Sequence, residues 1–301
     1  MPKPWSPEVA IPIKKARLLI EKQFPQINPI QISHFGEGFD NTVFNVNNQY
    51  VFRFPRREIA VSLLKIENHL LPKLIKELNI AIPEPIFFGK PSNEYNWPFT
   101  GYQLVHGDSP GLLSDETRDQ SAESLAIFFR RLHQFPIEEA KELGVPYDSL
   151  ERTNIVKRKA MLYEKLNKAV ELQLITKEHI VFEWLKALKI KESNTKLTLV
   201  HGDCHIRNIL VNERGIISGI IDWGDTHLGN PAIDLSIAYS FLSSKGRKNF
   251  FNIYGNVSLE TRRLAQFFAV YISVVLILYG HDLHDEKLVT SALDSLRVSL
   301  N

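Results

Sequence analysis

The sequence predicts an α+β protein with two lobes, a small β-rich N-terminal lobe and a larger helical C-terminal lobe. Between residues 30 and 54, short runs rich in β-branched and aromatic residues alternate with turns that contain glycine or asparagine, as in antiparallel strands. Beyond residue 106, stretches with apolar residues at helical spacing dominate the chain. We therefore expect residues 1–105 to form the first lobe and residues 106–301 the second, with a cleft between them.

The N-terminal lobe is predicted to open with a helix over residues 7–23. A second helix over residues 59–78 is expected to bend at Pro72, because proline removes a donor and crowds the preceding turn. The predicted strands of this lobe cover residues 31–35, 42–46, 50–54, 85–88 and 101–105.

The C-terminal lobe is predicted to be mostly helical after a linker at residues 106–111. One compact segment, residues 197–225, is the exception, because short strands there flank loops. The predicted helices cover residues 122–135, 150–172, 177–190, 235–242 and 259–279.

Composition indicates a soluble globular protein, with 44% hydrophobic and 23% charged residues. A formal net charge of +2 points to neither a nucleic-acid nor a membrane partner. Cys204 is the only cysteine, so no internal disulfide can form. The N-terminus has no apolar signal region. Both observations lead us to expect a cytoplasmic protein. The longest apolar run, residues 267–279, is shorter than the roughly 20 residues of a membrane span and predicts a buried core helix.

The strongest functional signal is a set of three polar residues on loops between short apolar strands: Asp203, Asn208 and Asp222. Phosphoryl transfer needs an aspartate that orients and deprotonates the incoming hydroxyl, and an asparagine and a second aspartate that hold Mg²⁺. The five-residue step from Asp203 to Asn208 permits one turn of loop, so both side chains can face one site. A hairpin of residues 209–211 and 216–221 would return Asp222 to the same place.

The spacing of this motif is specific. His-Gly-Asp followed after four residues by Asn would occur by chance in roughly a few chains per thousand of this length, and the downstream Ile-Asp-Trp lowers that frequency. A second His-Gly-Asp at residues 106–108 serves as an internal control, because Leu113 stands where an asparagine would be needed. Turn and cap roles alone would also suit Asp and Asn, but they do not explain the joint spacing.

With these motifs the chain resembles the aminoglycoside phosphotransferase superfamily, whose kinase-fold members include macrolide and choline kinases. The resemblance covers nearly the whole length and implies a bilobal protein-kinase-like fold. It implies that Asp203 is the catalytic base and that Asn208 and Asp222 are the metal ligands. It further implies that His201 supports the loop and that Asp234, in a second family signature at residues 229–235, braces it.

The same resemblance implies a nucleotide site in the first lobe. Gly36 and Gly38 would bring backbone N–H groups to the phosphates, although a plain hairpin turn remains an alternative reading of this loop. Arg53 takes the place of the usual strand lysine and would hold phosphate while pairing with Glu67 on the next helix. The backbone of Gln103 and Val105, at the hinge, is predicted to contact the purine. Tyr102 would lie at the back of the purine pocket and is expected to bias the choice between ATP and GTP.

The predicted activity is transfer of the γ-phosphate of ATP or GTP, with Mg²⁺, to a hydroxyl of a small molecule. An aminoglycoside or macrolide antibiotic is the first expectation for the acceptor, and residues 267–279, which lack an acid, favour a macrolide over a polycation. Choline, a sugar or an amino-acid alcohol remains an alternative acceptor. A pseudokinase without turnover is a further alternative. A protein kinase is disfavoured, because little chain separates Asp222 from residue 230 to serve as an activation segment.

Overall fold

A computed structural model of the chain describes residues 8–38, 40–177, 179–190 and 196–301. The chain divides into two compact units. The N-terminal unit comprises Met1–Glu77 and Ala81–Val105, and the C-terminal unit comprises Leu78–Ile80 and His106–Asn301. The predicted α+β class is confirmed, with a small antiparallel sheet in the first unit and mainly helices in the second.

The N-terminal unit is built on a five-stranded antiparallel sheet with strand order β1-β2-β3-β5-β4. The β2–β3 turn holds Asn47 and Asn48 at φ of 58° and 53°, a left-handed conformation that asparagine tolerates and that tight hairpins require. The strands are β1 (Ile32–Glu37), β2 (Asn41–Val46), β3 (Tyr50–Pro55), β4 (Glu84–Gly89) and β5 (Phe99–Gln103).

Among the described residues, two α-helices accompany this sheet, α1 (Ile13–Gln23) and α2 (Glu58–Leu74), and a short 3₁₀ helix, Pro25–Ile27, follows α1. The predicted start of α1 at residue 7 lies outside the described residues, and the helix begins only after Pro12, whose backbone is extended. Helix α2 keeps Pro72 inside its last turn but ends earlier than predicted, at Leu74. Between α1 and the sheet, aromatic rings pack closely; those of Phe54 and Phe99, for example, stack at 4.4 Å.

The C-terminal unit contains ten helices among its described residues: α3 (Asp115–Asp119), α4 (Ala122–His133), α5 (Ile137–Glu142), α6 (Ile155–Glu171), α7 (Val181–Ala187), α8 (Ala232–Leu235), α9 (Ile237–Ser240), α10 (Ser244–Tyr254), α11 (Leu259–Asp282) and α12 (Glu286–Ser299). The single helix predicted at residues 235–242 is two short helices, and α3, α5, α10 and α12 were not predicted. Helix α7 is shorter than the predicted 177–190, where Glu178 is outside the described residues.

Helix α11 is the long apolar helix predicted as a core helix, and this prediction is confirmed. It has 24 residues, and 67% of its most apolar window is buried within the fold. Among the described residues it is the one helix long and apolar enough to cross a membrane, and its burial against α6, α8, α9 and α12 accounts for that composition.

Two small antiparallel ribbons, β6 (Thr198–Val200) with β9 (His227–Gly229) and β7 (Ile209–Val211) with β8 (Ile217–Ile220), occupy the segment predicted to hold short strands. The β7–β8 hairpin confirms the predicted hairpin before Asp222. The first His-Gly-Asp copy is more than the predicted linker, because Asp108 exchanges two backbone hydrogen bonds with Val211, at 2.9 and 2.8 Å.

Candidate active site

The loop after β6 turns sharply at Gly202, which has φ of +87°. A Cβ atom at this position would lie 2.3 Å from the carbonyl oxygen of Asp225, so a side chain would be both strained and obstructed. The glycine therefore allows the chain to leave β6 and present Asp203 immediately afterwards.

Asp234 anchors this turn from α8. Its carboxylate is fully buried and accepts the backbone N–H groups of His201, at 2.8 Å, and of Gly202, at 2.9 Å. The Nε2 atom of His133 lies 3.1 Å from the same carboxylate. Burial raises the pKa of Asp234, but the hydrogen bond from His133 and the nearby charges and N–H groups outweigh it and hold that pKa below its ordinary value. Asp234 thus braces the loop, as the resemblance implied.

Asn208 fixes the side chain of Asp203. Its amide Nδ2 donates to the carbonyl oxygen of Asp203 at 2.9 Å and to the carboxylate Oδ2 at 3.0 Å. The other carboxylate oxygen, Oδ1, lies 3.3 Å from Nε2 of His205. Burial raises the pKa of Asp203, but the charge and hydrogen bond of His205, together with the charge of Arg152, outweigh it and hold the pKa below its ordinary value. Asp203 is therefore an ionised carboxylate at neutral pH.

His201 is a structural residue of the loop. Its ring is buried, Nε2 donates to the carbonyl oxygen of Ile221 at 3.1 Å, and the indole of Trp223 packs against it edge-on at 4.7 Å. Burial holds the pKa of His201 below its ordinary value, so the ring is neutral. The imidazole therefore joins the loop before Asp203 to the segment that carries Asp222.

Asp222 follows β8 and adopts a left-handed conformation with φ of 65°. The backbone N–H of Ile221 donates to the carbonyl oxygen of Asn208 at 2.8 Å, which joins the two segments that carry the predicted metal ligands. The side chain of Asp222 is exposed, whereas that of Asn208 is buried.

The donor chemistry of Asn208 and Asp222 suits Mg²⁺, which prefers oxygen ligands and often takes only one or two from the protein beside phosphate oxygens and water. Because the amide nitrogen of Asn208 donates to Asp203, its Oδ1 is directed elsewhere, and no hydrogen bond to that oxygen forms within the described chain. No cluster of three or more His, Cys, Asp or Glu side chains suited to a metal occurs in that part of the chain. The side-chain oxygens of Asn208 and Asp222 thus fit a hard cation such as Mg²⁺.

In the N-terminal unit, Arg53 and Glu67 form the predicted pair. Nη1 of Arg53 lies 3.0 Å from Oε2 of Glu67, and the side chains are only 14% and 5% exposed. The hydroxyl of Tyr102 donates to the same carboxylate at 3.2 Å. Burial, together with the charge of Glu67, raises the pKa of Tyr102 well above its ordinary value. The cation on β3 is thus held in a fixed position by the acid on α2.

The remaining residues predicted to bind nucleotide lie along two strands of the same unit. Gly36 is in β1 and Gly38 follows it, and a Cβ atom at either position would meet no closer atom than one at 4.0 Å, so backbone packing does not require the glycines. Phe39 of this loop is outside the described residues. Gln103 ends β5 with an exposed side chain, and within the described chain the backbone of Val105 takes part in no hydrogen bond.

A cavity of about 120 Å³ lies beside Asp203 within the C-terminal unit. Its apolar lining includes Leu150, Phe268 and Ile272. Two arginines also line it. Arg152 pairs with Asp148 at 2.9 Å and with Asp225.

Arg158, the other arginine, donates to the carbonyl oxygen of Leu150 at 2.7 Å and lies over the ring of Tyr271 at 5.7 Å. Its Nε atom is buried without a hydrogen-bond partner, and among the described residues no carboxylate pairs with it.

Sequence reasoning missed several of these groups. His205 is buried, and its Nε2 lies 3.3 Å from the carboxylate of Asp203. Arg158 and His133 come from helices distant in sequence, and no local pattern marks them. Cys204 lines the cavity, and burial raises the pKa of its thiol well above the ordinary value, so the thiol is protonated and is not a nucleophile.

A choline acceptor would call for a cage of aromatic side chains, but Trp223, Tyr239 and Tyr271 do not come together. Trp223 is buried beneath the loop, Tyr271 lines the cavity beside Asp203, and Tyr239 lines a different cavity.

The antiparallel sheet with its buried Arg–Glu pair, together with the helical unit and its Asp–Asn loop, defines a kinase-like phosphotransferase that acts on hydroxyl groups. The model of the phosphotransferase enzyme family matches residues 31–268, and the chain belongs to that family.

Solved structures with the same fold include two complexes with GDP. The GDP and kanamycin complex of APH(2")-IIia is 26% identical, with a TM-score of 0.68 over 95% of this chain and 98% of that one. The GDP complex of wild-type aminoglycoside 2'-phosphotransferase-IIIa is also 26% identical, with a TM-score of 0.66 over 94% and 97% of the two chains. The apoenzyme of macrolide 2'-phosphotransferase MphH from Brachybacterium faecium is 18% identical, with a TM-score of 0.60 over 93% and 98%, and shares the fold.

Proposed function

We propose that this protein transfers the γ-phosphate of a nucleoside triphosphate to a hydroxyl of a small molecule, with Asp203 as the catalytic base. The observation that carries this proposal is the double hydrogen bond from Asn208, which fixes a carboxylate that its surroundings keep ionised. A positioned, ionised aspartate is what an acceptor hydroxyl needs beside it.

In the proposed step, the acceptor oxygen forms a bond to the γ-phosphorus while the bond from that phosphorus to the β–γ bridging oxygen breaks. The nucleoside diphosphate leaves, and the hydroxyl proton passes to the carboxylate of Asp203. Because the pKa of Asp203 is low, this carboxylate is a weak base, and orientation of the hydroxyl is its larger contribution. Most of the rate acceleration then comes from positioning and charge neutralisation.

Asn208 and Asp222 would hold Mg²⁺ through their side-chain oxygens. When bound, the ion supplies neutralisation of the phosphate charge. Arg53, oriented by Glu67, would hold the α- and β-phosphates through its planar guanidinium.

For the rest of the nucleotide, Gly36 and Gly38 would offer backbone N–H groups to the phosphates, and Gln103 and Val105 would offer backbone groups to the purine. The two GDP complexes support GTP as a donor beside ATP.

We place the reaction in the cytoplasm, in keeping with a lone, reduced cysteine.

For the acceptor, the cavity beside Asp203 favours a macrolide-type antibiotic or a small metabolite over a polycationic aminoglycoside. The similarity to the kanamycin complex supports an aminoglycoside. Against it stands the lining of the cavity, which combines apolar side chains with the guanidinium of Arg158 and holds one carboxylate, that of Asp203, among the described residues. An unneutralised cation repels a polycation in a site of low dielectric.

The proposal is tested by measuring nucleoside-diphosphate release with ATP and with GTP against macrolides, aminoglycosides, choline, sugars and amino-acid alcohols. We expect one acceptor class to stimulate release by the wild-type protein and not by Asp203→Asn. Binding of Mg²⁺-nucleotide without stimulated release by any acceptor would favour a pseudokinase. Failure to bind nucleotide at all would overturn the proposal.

A further inference from the structure

A second cavity, of about 230 Å³, lies in the C-terminal unit between α9, α10 and the start of α11. Three cationic side chains line it, those of Arg247, Lys248 and Arg262, and none of the described residues that line it is acidic. A concave surface with this charge selects for anions. None of these residues belongs to the site around Asp203.

Arg247 is the central group of this cavity. Its side chain is buried and lies over the ring of Tyr239 at 4.5 Å. One Nη atom donates to the carbonyl oxygen of Val298 at 3.4 Å, and Nε is buried without a partner. Asp119 is the carboxylate that acts on it electrostatically, but that carboxylate accepts hydrogen bonds from the backbone and hydroxyl of Ser243 instead of pairing with it.

No carboxylate in the part of the chain that the structure describes pairs with Arg247, and this has an energetic consequence. Burial holds the pKa of Arg247 below its ordinary value, which shows that the surroundings disfavour the charge. A buried charge is tolerated when an opposite charge and hydrogen bonds satisfy it. An anion in the cavity would provide both.

Arg262 faces the same cavity from α11. Its guanidinium lies over the ring of Phe251 at 4.3 Å, and its Nε atom also lacks a hydrogen-bond partner. Stacking on an aromatic ring holds each guanidinium in place, so little side-chain entropy is lost when a ligand binds. The hydroxyl of Ser244 and the amide of Asn252 add neutral hydrogen-bond donors to the lining.

We propose that this cavity binds a phosphate group, either inorganic phosphate or the phosphate of a small metabolite, between Arg247 and Arg262. Guanidinium groups present paired N–H donors that match the geometry of phosphate oxygens. The site is separate from the proposed transfer reaction and does not depend on it.

The test is a titration of the full-length protein with inorganic phosphate, by calorimetry and by the shift in thermal midpoint, without Mg²⁺ and at constant ionic strength set with chloride. We expect a phosphate-dependent rise in Tm beyond that given by chloride. Arg262→Gln and Arg247→Gln should each weaken phosphate binding about tenfold, because each removes charge-assisted hydrogen bonds. Arg262→Lys keeps the positive charge but lacks the paired donors of a guanidinium. Its affinity for phosphate should therefore lie between those of the wild type and Arg262→Gln.

Matched controls separate this cavity from the active site. Asp203→Asn should bind phosphate as the wild type does, and Arg262→Gln should keep the wild-type transferase activity. Arg247 also bonds to Val298, so a folding defect in its variant is recognised by circular dichroism and the conclusion then rests on Arg262. Equal responses to phosphate and chloride, or unchanged phosphate affinity in Arg262→Gln, would overturn the proposal.

A second arm compares inorganic phosphate with glucose 6-phosphate and with glucose. Tighter binding of the sugar phosphate, with none of glucose, identifies a phosphorylated metabolite as the ligand. Equal affinity for the sugar phosphate and inorganic phosphate identifies the free anion. Binding of glucose alone would contradict an anion site.

Discussion

The side-chain amide nitrogen of Asn208 donates to two oxygens of Asp203, the backbone carbonyl oxygen at 2.9 Å and the carboxylate oxygen Oδ2 at 3.0 Å. The first bond fixes the backbone of the loop and the second fixes the side-chain rotamer. A carboxylate held in this way has lost most of its freedom before an acceptor arrives, which lowers the entropic cost of reaching a reactive geometry. The same pair provides the first prediction.

Asp203→Asn should lower kcat by about 10²–10⁴-fold, since an amide has the shape of the carboxylate but cannot accept the hydroxyl proton. Nucleotide affinity should be unchanged, because Asp203 has no proposed contact with the nucleotide. The measurement is steady-state diphosphate release beside nucleotide titration. A loss of less than about tenfold in kcat would remove Asp203 from the role of base.

Asp234→Asn should destabilise the fold by about 1.5–3 kcal/mol, the typical contribution of hydrogen bonds to a charged group. The variant amide would direct an NH₂ group at backbone N–H donors of His201 or Gly202, and that end of the buried side chain would then be unsatisfied. Urea denaturation measures the change in the free energy of unfolding. Glu138→Gln, which alters an exposed surface pair, is the matched control and should leave stability unchanged. Equal stability of the two variants would refute the bracing role of Asp234.

Arg53→Ala should destabilise the protein by about 3–5 kcal/mol, because it leaves the buried carboxylate of Glu67 without its cation. It should also raise KM for the nucleotide. Arg53→Lys keeps the charge and should retain most of the stability while weakening nucleotide binding, because an ammonium lacks the paired donors of a guanidinium. The comparison uses urea denaturation and KM for ATP and GTP. If Arg53→Ala changed stability alone, the pair would be structural only.

Local sequence patterns predicted those parts of the fold that depend on short-range order. Runs rich in β-branched and aromatic residues, bounded by turns, predicted all five strands of the N-terminal sheet to within two residues, because such runs and turns are local features of the chain. The pairing of β5 with β3 joins segments about fifty residues apart and has no local signal. Helix α10 was missed because its apolar residues are confined to its C-terminal half. Helix α12 does carry Leu288, Ala292 and Leu296 at helical spacing, so that signal was present in the sequence and was overlooked.

The same limit applies to the site. Asp203, Asn208 and Asp222 lie within twenty residues of one another, and their spacing was visible in the sequence. The groups that lower the pKa of Asp203 include Arg152, about fifty residues earlier in the chain, and His205. The burial of His205 depends on helices packed around the loop. Such long-range contacts leave no periodic signal, so composition and spacing could not identify them.

The buried neutral state of His201 predicts that the protein loses stability as pH falls below about 6.5, the ordinary pKa of histidine. Burial holds the folded-state pKa of His201 below that value, so as pH falls the unfolded chain takes up a proton before the folded chain does. Binding of that proton favours the unfolded state, and the loss continues until pH reaches the lower, folded-state pKa. Burial also lowers the pKa of His227, so His227 adds to the dependence of stability on pH.

We expect the free energy of unfolding, measured in urea at pH 5.5, 6.5 and 7.5, to rise with pH. His201→Asn should flatten this rise, whatever its effect on absolute stability. His284→Asn is the control, because His284 is exposed and its left-handed backbone, with φ of 56°, suits asparagine. That variant should keep the wild-type slope. A slope unaltered by His201→Asn would show that the imidazole is not neutral in the folded protein.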